Sequence, residues 1–113
     1  MSLRGKAEAI SLFQIAFFRA LNLTKMVEKE VELVNEVGLH IRPASMLVEV
    51  ANKFKSDVWI EKDGQEANGK SIMSILLLCA EKGSKVNIKA EGPDATQAVE
   101  ALVRVVKDKF GEE

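Results

Sequence analysis

The sequence predicts a two-layer α+β sandwich: a four-stranded antiparallel sheet with three helices on one face, in the order β-α-β-β-α-β-α. Three observations predict it. Residues 27–33 and 85–90 set a mostly apolar side against a polar or charged one, as half-buried strands do. Asp63-Gly64 stands between two extended runs, a strong hairpin signal. Three further segments carry apolar residues at helical spacing, behind Pro43, Ser71 and Asp94.

In the first strand Val27, Lys29, Val31 and Leu33 lie on one side and Glu28, Glu30 and Glu32 on the other, and Asn35-Glu36-Val37-Gly38 ends it with loop chemistry. Proline is tolerated only in the first helical turn, so Pro43 fixes a helix start near residues 41–43. Ala44, Leu47, Val48, Ala51 and Phe54 form its apolar stripe, while Ser45, Glu49, Asn52 and Lys53 face out. Val58, Trp59 and Ile60 make the next strand, which turns at Asp63-Gly64 into 65–68. Ser71 is a candidate N-cap for a short, mostly apolar helix over 72–79, closed by Lys82-Gly83. Ile75, Leu76 and Cys79 can bury together there, which leaves Met73 facing elsewhere, and Cys79 reads as a buried small hydrophobe. Val86, Ile88 and Ala90 give the fourth strand. After Gly92-Pro93, Asp94 with Gln97 has the spacing of a capping box. Ala95, Ala98, Val99, Leu102, Val105, Val106 and Phe110 face the core of the last helix, and Gly111 ends it.

The chain has 113 residues, one domain's worth, and 47% of them are hydrophobic, enough for one core. Its net charge of −1 argues against a nucleic-acid binder. One cysteine and one histidine supply neither a disulfide nor a usual structural zinc site, and a reduced, cytoplasmic setting fits. No apolar run reaches the length of a membrane span. Residues 1–25 differ from the remainder: four basic residues stand against Glu8 alone, and Ile10, Phe13, Phe17 and Leu21 share a helical face. Three readings of this extension stay open: a functionless leader, an amphipathic helix that packs on a second copy or a membrane surface, and a signal peptide. The domain itself is read as residues 26–113, monomeric unless residues 1–25 mediate self-association.

The segment Gly38-Leu39-His40-Ile41-Arg42-Pro43-Ala44-Ser45 carries the chemistry. It holds the only histidine, at the point where a strand and loop give way to a helix. A helix start offers unpaired N–H groups and the positive end of the macrodipole, which suit an anion. An isolated histidine ordinarily caps a helix or fills a gap. Beside Arg42 and Pro43, a phosphoryl carrier is the better reading. Neutral imidazole is nucleophilic, and free imidazole, with a pKa of about 6.5, is mostly neutral near pH 7. The dipole contributes about 0.3–1 kcal/mol to holding a phosphoryl group at an exposed site. Charge-assisted bonds from an arginine contribute about 1.5–3 kcal/mol. Such modest terms suit a group that must be handed on.

This segment closely resembles the active-site signature of HPr, the histidine-containing phosphocarrier family of the bacterial sugar phosphotransferase system. Asn68-Gly69-Lys70-Ser71-Ile72-Met73 resembles the same family's regulatory serine segment, at the right spacing, and the similarity covers residues 26 to about 111. The resemblance implies an HPr-like fold and a relay that turns over nothing by itself. Enzyme I would pass a phosphoryl group to Nδ1 of His40, which would donate it to an enzyme IIA domain for sugar uptake. It implies that Arg42 assists both transfers, that Gly38 gives the loop freedom to expose the ring, and that Ile41, Pro43 and Ala44 shape the helix start. It implies no cofactor and no metal. A kinase/phosphorylase would modify Ser71, slowing receipt of the phosphoryl group and recruiting a catabolite repressor. Arg42, Leu47, Ile72 and Met73 would form the docking patch for enzyme I and enzyme IIA. Ser74 and Cys79 depart from the glycines of many relatives, and Glu49 from their Lys or Gln.

Two other readings are carried. A nitrogen-regulatory or catabolite-regulatory paralogue has the same fold, although a purely regulatory protein does not need His40. A ferredoxin-like RNA- or small-molecule-binding module belongs to a different class, but the strands offer only Trp59 as a stacking aromatic. A small hydrolase using His40 as base lacks any partner placed in sequence to support it.

Overall fold

The computed structural model describes residues 25–112. The readings offered for residues 1–25 fall outside the described residues, apart from Lys25, whose backbone opens the first strand. Among the described residues the elements are β1 (Lys25–Glu32), α1 (Ile41–Ala51), β2 (Asp57–Lys62), β3 (Gln65–Asn68), α2 (Ile72–Leu76), β4 (Lys85–Gly92) and α3 (Ala95–Lys107). A 3₁₀ turn over Lys109–Gly111 follows α3.

The sheet order is β1-β4-β2-β3, with every neighbouring pair antiparallel. β4 therefore lies between β1 and β2, and two interlocked β-α-β units build the layer. Val31 opposes Val86, and Ile60 opposes Ile88. The predicted alternation holds in β4, where Val86, Ile88 and Ala90 are buried toward the helices. The hairpin also holds: Asp63 and Gly64 have φ of 51° and 82°, the double positive pair of a type I′ turn. Leu33, Leu47, Ile60, Ile75, Ile88 and Leu102 are fully buried in one core shared by the sheet and all three helices. Each such side chain contributes about 1.5–3 kcal/mol on burial, so this core fixes where α1 begins.

The helix ends depart from expectation. α1 stops at Ala51, and Phe54 packs half-buried from the following loop. α2 ends at Leu76 rather than Cys79, and the chain leaves it through Cys79 at a φ of 50°. Lys62 Nζ reaches the carbonyls of Leu78 and Cys79 at 3.4 and 3.3 Å, giving that exit a cation from the hairpin. Lys82-Gly83 belongs to the next turn, where Gly83 N–H donates to the Leu33 carbonyl at 2.7 Å. Cys79 is exposed, not buried. α3 ends at Lys107, so Phe110 reaches the core from the 3₁₀ turn, and Val103, absent from the expected stripe, is buried as well.

The capping box at Asp94 does not form. Asp94 occupies the N-cap of α3 without a side-chain bond to its own helix. Its carboxylate instead accepts from the N–H groups of Lys55 and Ser56, each at 2.9 Å, and from the Ser56 hydroxyl, tying α3 to the loop before β2. The Ser56 hydroxyl, then the Lys55 and Ser56 N–H groups, hold this carboxyl down to about 2. A lowered folded-state value contributes stability that is present above the ordinary carboxylate range and lost as pH falls toward the folded value. Asp94→Asn is therefore expected to lower the urea midpoint most at about pH 5 and least near pH 2. A stability difference that stays constant across that range would contradict the assignment.

Candidate functional site

Two loops frame the candidate site. Leu33 N–H donates to the Ser84 carbonyl at 2.8 Å, Leu39 N–H to the Ala80 carbonyl at 2.9 Å, and Lys82 pairs with Glu36 at 2.6 Å. The Lys82 ammonium holds the Glu36 carboxyl below its usual range, although both groups are exposed and water screens the pair. The loop after β1 thus lies along the chain that leaves α2.

Gly38 shows why the loop follows this path. Its φ is 64°, and a Cβ there would stand 2.4 Å from the Ala80 carbonyl oxygen and 2.8 Å from Glu81 Cα. The residue is buried and pinned, so the expectation that Gly38 supplies freedom is corrected. It supplies a left-handed turn and a close backbone approach that a side chain would prevent. Its carbonyl accepts from the Asn35 carboxamide at 2.9 Å and from the His40 N–H at 3.1 Å.

The turn delivers His40 to the N-cap of α1. The backbone there is extended, with φ of −83° and ψ of −178°, and the imidazole makes no capping bond. His40 is exposed, as are Ile41 and Arg42. Pro43 and Ala44 are buried and anchor the first turn. Pro43 has no N–H, and Ala44 N–H already closes on the His40 carbonyl at 2.9 Å. The donors left without an intrahelical acceptor at this end are those of Ile41 and Arg42. Arg42 enters no ion pair among the described residues, so its guanidinium is available to an anion. The arrangement is an exposed nucleophilic ring, two N–H groups and a fork of donors on one helix end, suited to a transient anionic adduct.

The second block lies at the start of α2. Ser71 caps it, accepting from Ser74 N–H at 3.2 Å, and is half-buried. Ile72 is half-buried against the core, and Met73 is 69% exposed. Leu47 does not join them on the surface. It is 1% exposed, because the apolar stripe of α1 that contains it is turned into the core, where α1 packs against α2 and α3, and its expected part in docking is corrected. Ile41 and Leu77, each 67% exposed, are the most exposed apolar side chains that the sequence reading left out of the docking patch. Leu77 N–H bonds to the Met73 carbonyl, so Met73 and Leu77 stand four residues apart on one face of α2. Ile41, His40, Leu76 and Cys79 line a common open hollow, which brings the end of α2 beside the start of α1.

Comparison with known proteins bears on the family and the fold. The family model described as PTS HPr component phosphorylation site matches residues 27–108. The chain is 37% identical over 87 residues to the phosphocarrier protein HPr of Neisseria meningitidis, covering 77% of this chain and 98% of that protein. It is 44% identical over 82 residues to the HPr-like protein Crh of Halalkalibacterium halodurans, covering 73% and 98%. The crystal structure of HPr from Thermoanaerobacter tengcongensis superposes with a TM-score of 0.75 at 46% identity, covering 77% of this chain and 98% of that one.

Proposed function

This chain belongs to the HPr family of phosphotransferase-system phosphocarriers, and from that premise we propose that His40 is the residue that accepts and passes on the phosphoryl group. The donor is the phosphohistidine of enzyme I. The lone pair of neutral His40 Nδ1 attacks phosphorus as the bond from phosphorus to the donor nitrogen breaks, which returns the donor imidazole unphosphorylated. The reverse geometry serves the second step: a histidine of an enzyme IIA domain attacks, and the bond to Nδ1 breaks. Arg42 and the N–H groups of Ile41 and Arg42 offset the charge of the moving group at each stage. Gly38, Pro43 and Ala44 hold the helix start on which this depends.

The observation that carries the reading is the exposed, uncapped imidazole at the start of α1, beside an arginine without an ionic partner among the described residues. Its test is a two-step transfer. The protein is labelled by enzyme I and phosphoenolpyruvate, freed of both, and mixed with an enzyme IIA domain. Label that moves to the IIA domain supports a relay. Label that stays, or that never attaches, contradicts it.

Ser71 gives the relay a control point. Phosphorylation of Ser71 by a kinase/phosphorylase adds about two negative charges where enzyme I docks and creates a surface for a catabolite repressor. The docking patch in this reading is Arg42, Ile41, Ile72, Met73 and Leu77. Ser71→Asp is expected to slow phosphorylation by enzyme I roughly five- to tenfold, the effect of about 1–1.4 kcal/mol in the transition state. The domain stays folded, because Asp caps a helix as well as Ser does. An unchanged initial rate would count against the control point. A cytoplasmic location accompanies this set of partners. The likeness to Crh, whose Bacillus subtilis form is described as the catabolite repression HPr, favours the regulatory use of Ser71, but a purely regulatory protein has no need of the His40 imidazole.

A further inference from the structure

We propose that Asn35 is a positioning residue for phosphoryl transfer: its buried carboxamide grips the Gly38 carbonyl and through it sets the main chain of His40. The proposal rests on the reading of His40 as the acceptor, and it adds a residue that the two family segments do not contain.

Asn35 is 1% exposed, although it lies in the loop between β1 and α1. One Nδ2 hydrogen goes to the Gly38 carbonyl at 2.9 Å and the other to Glu112 Oε1 at 3.2 Å, so the amide is held from two directions and cannot rotate away. The Asn35 main-chain carbonyl receives the Gly38 N–H at 3.4 Å. The Gly38 carbonyl is a shared acceptor, since the His40 N–H also donates to it at 3.1 Å. A single oxygen therefore lies between the Asn35 side chain and the main chain of the nucleophile. With Gly38 at a left-handed φ and backed against Ala80, that oxygen has one orientation, and the His40 Cα direction follows from it.

The side chain is also a poor choice for packing alone. Its Oδ1 has no hydrogen-bond partner among the described residues, and a buried unsatisfied acceptor is costly. An apolar residue of similar volume would avoid that cost. The compensation is geometric: the donors of Asn35 reach a carbonyl that only a polar side chain can fix. Transfer between two imidazoles demands alignment of the attacking nitrogen, phosphorus and the leaving nitrogen, and small misplacements are heavily penalised. A loop clamped by Asn35 presents His40 already aligned. The docking patch on Arg42, Met73 and Leu77 is untouched by this contact.

The test is steady-state turnover of enzyme I with this protein as the phosphoryl acceptor. In Asn35→Leu, kcat is expected to fall between about ten- and a hundredfold while KM stays unchanged, since binding does not use the clamp. Asn35→Ala removes the same donors without the larger side chain and is expected to match it. Asn35→Gln keeps both donors one methylene further out and recovers part of kcat. Ile60→Val, a core change of the sheet away from the loop, controls for lost stability and leaves kcat unaltered. The positioning role is overturned by an Asn35→Leu or Asn35→Ala protein that keeps wild-type kcat. It is also overturned by an equal loss in Ile60→Val, by a loss confined to KM, or by variants that fail to fold, which would assign Asn35 to folding. Failure of the wild-type protein to accept phosphate would instead remove the acceptor reading itself, so the two failures are told apart.

Discussion

Replacing His40 with alanine is expected to reduce phosphorylation by enzyme I to the level of a protein-free blank while leaving the fold as stable as before. The two halves of this result have separate causes. The ring is exposed and caps nothing, so its removal leaves no buried partner unsatisfied. The extended backbone at the N-cap suits alanine, and the expected stability change is within about 0.5 kcal/mol. The chemistry has no substitute, because His40 is the only histidine in the chain. Radiolabel transfer and a urea titration on the same preparation measure both halves. Residual transfer in the variant would mean that another side chain accepts the group. A large loss of stability would mean that the imidazole has structural contacts not seen at this helix start.

Gly38→Ala is expected to produce the largest combined effect on fold and transfer. A left-handed backbone costs a non-glycine residue roughly 1–2 kcal/mol. The added Cβ would also stand 2.4 Å from the Ala80 oxygen, which already accepts the Leu39 N–H. Relief of that clash requires the two loops to part and weakens a bond worth about 0.5–1.5 kcal/mol. The sum is a destabilisation of about 1.5–3.5 kcal/mol, read as a lower urea midpoint. Phosphoryl acceptance falls with it, because His40 hangs directly on the displaced turn. A variant with wild-type stability and wild-type transfer would show that the loop can take another path.

Much of this was legible in the sequence, for definite reasons. Alternation in β1 and β4 and the Asp63-Gly64 pair are local signals, and local geometry satisfies them. Pro43 placed the start of α1 because a missing N–H is tolerated only there. What was not legible depends on contacts distant in the chain. The Asp94 carboxylate resembles a cap for its own helix, yet three donors from Lys55 and Ser56 outcompete that use. The end of α2 is set at Leu76 with the left-handed Cys79 following, not by the Lys82-Gly83 pair that follows later. Leu47 could not both line the stripe of α1 and stand on the surface, and the stripe prevails because the core shared with α2 and α3 buries it. Asn35 gave no signal, since asparagine in a loop ordinarily marks an exposed turn.

The relay turns on one covalent bond. Phosphorus NMR of the protein after reaction with enzyme I and phosphoenolpyruvate, followed by brief acid treatment, tests it most directly. A single phosphoramidate resonance from a phosphohistidine is expected, lost on mild acidification and absent in His40→Ala. A phosphorus signal that survives acid, or that persists in His40→Ala, would contradict it.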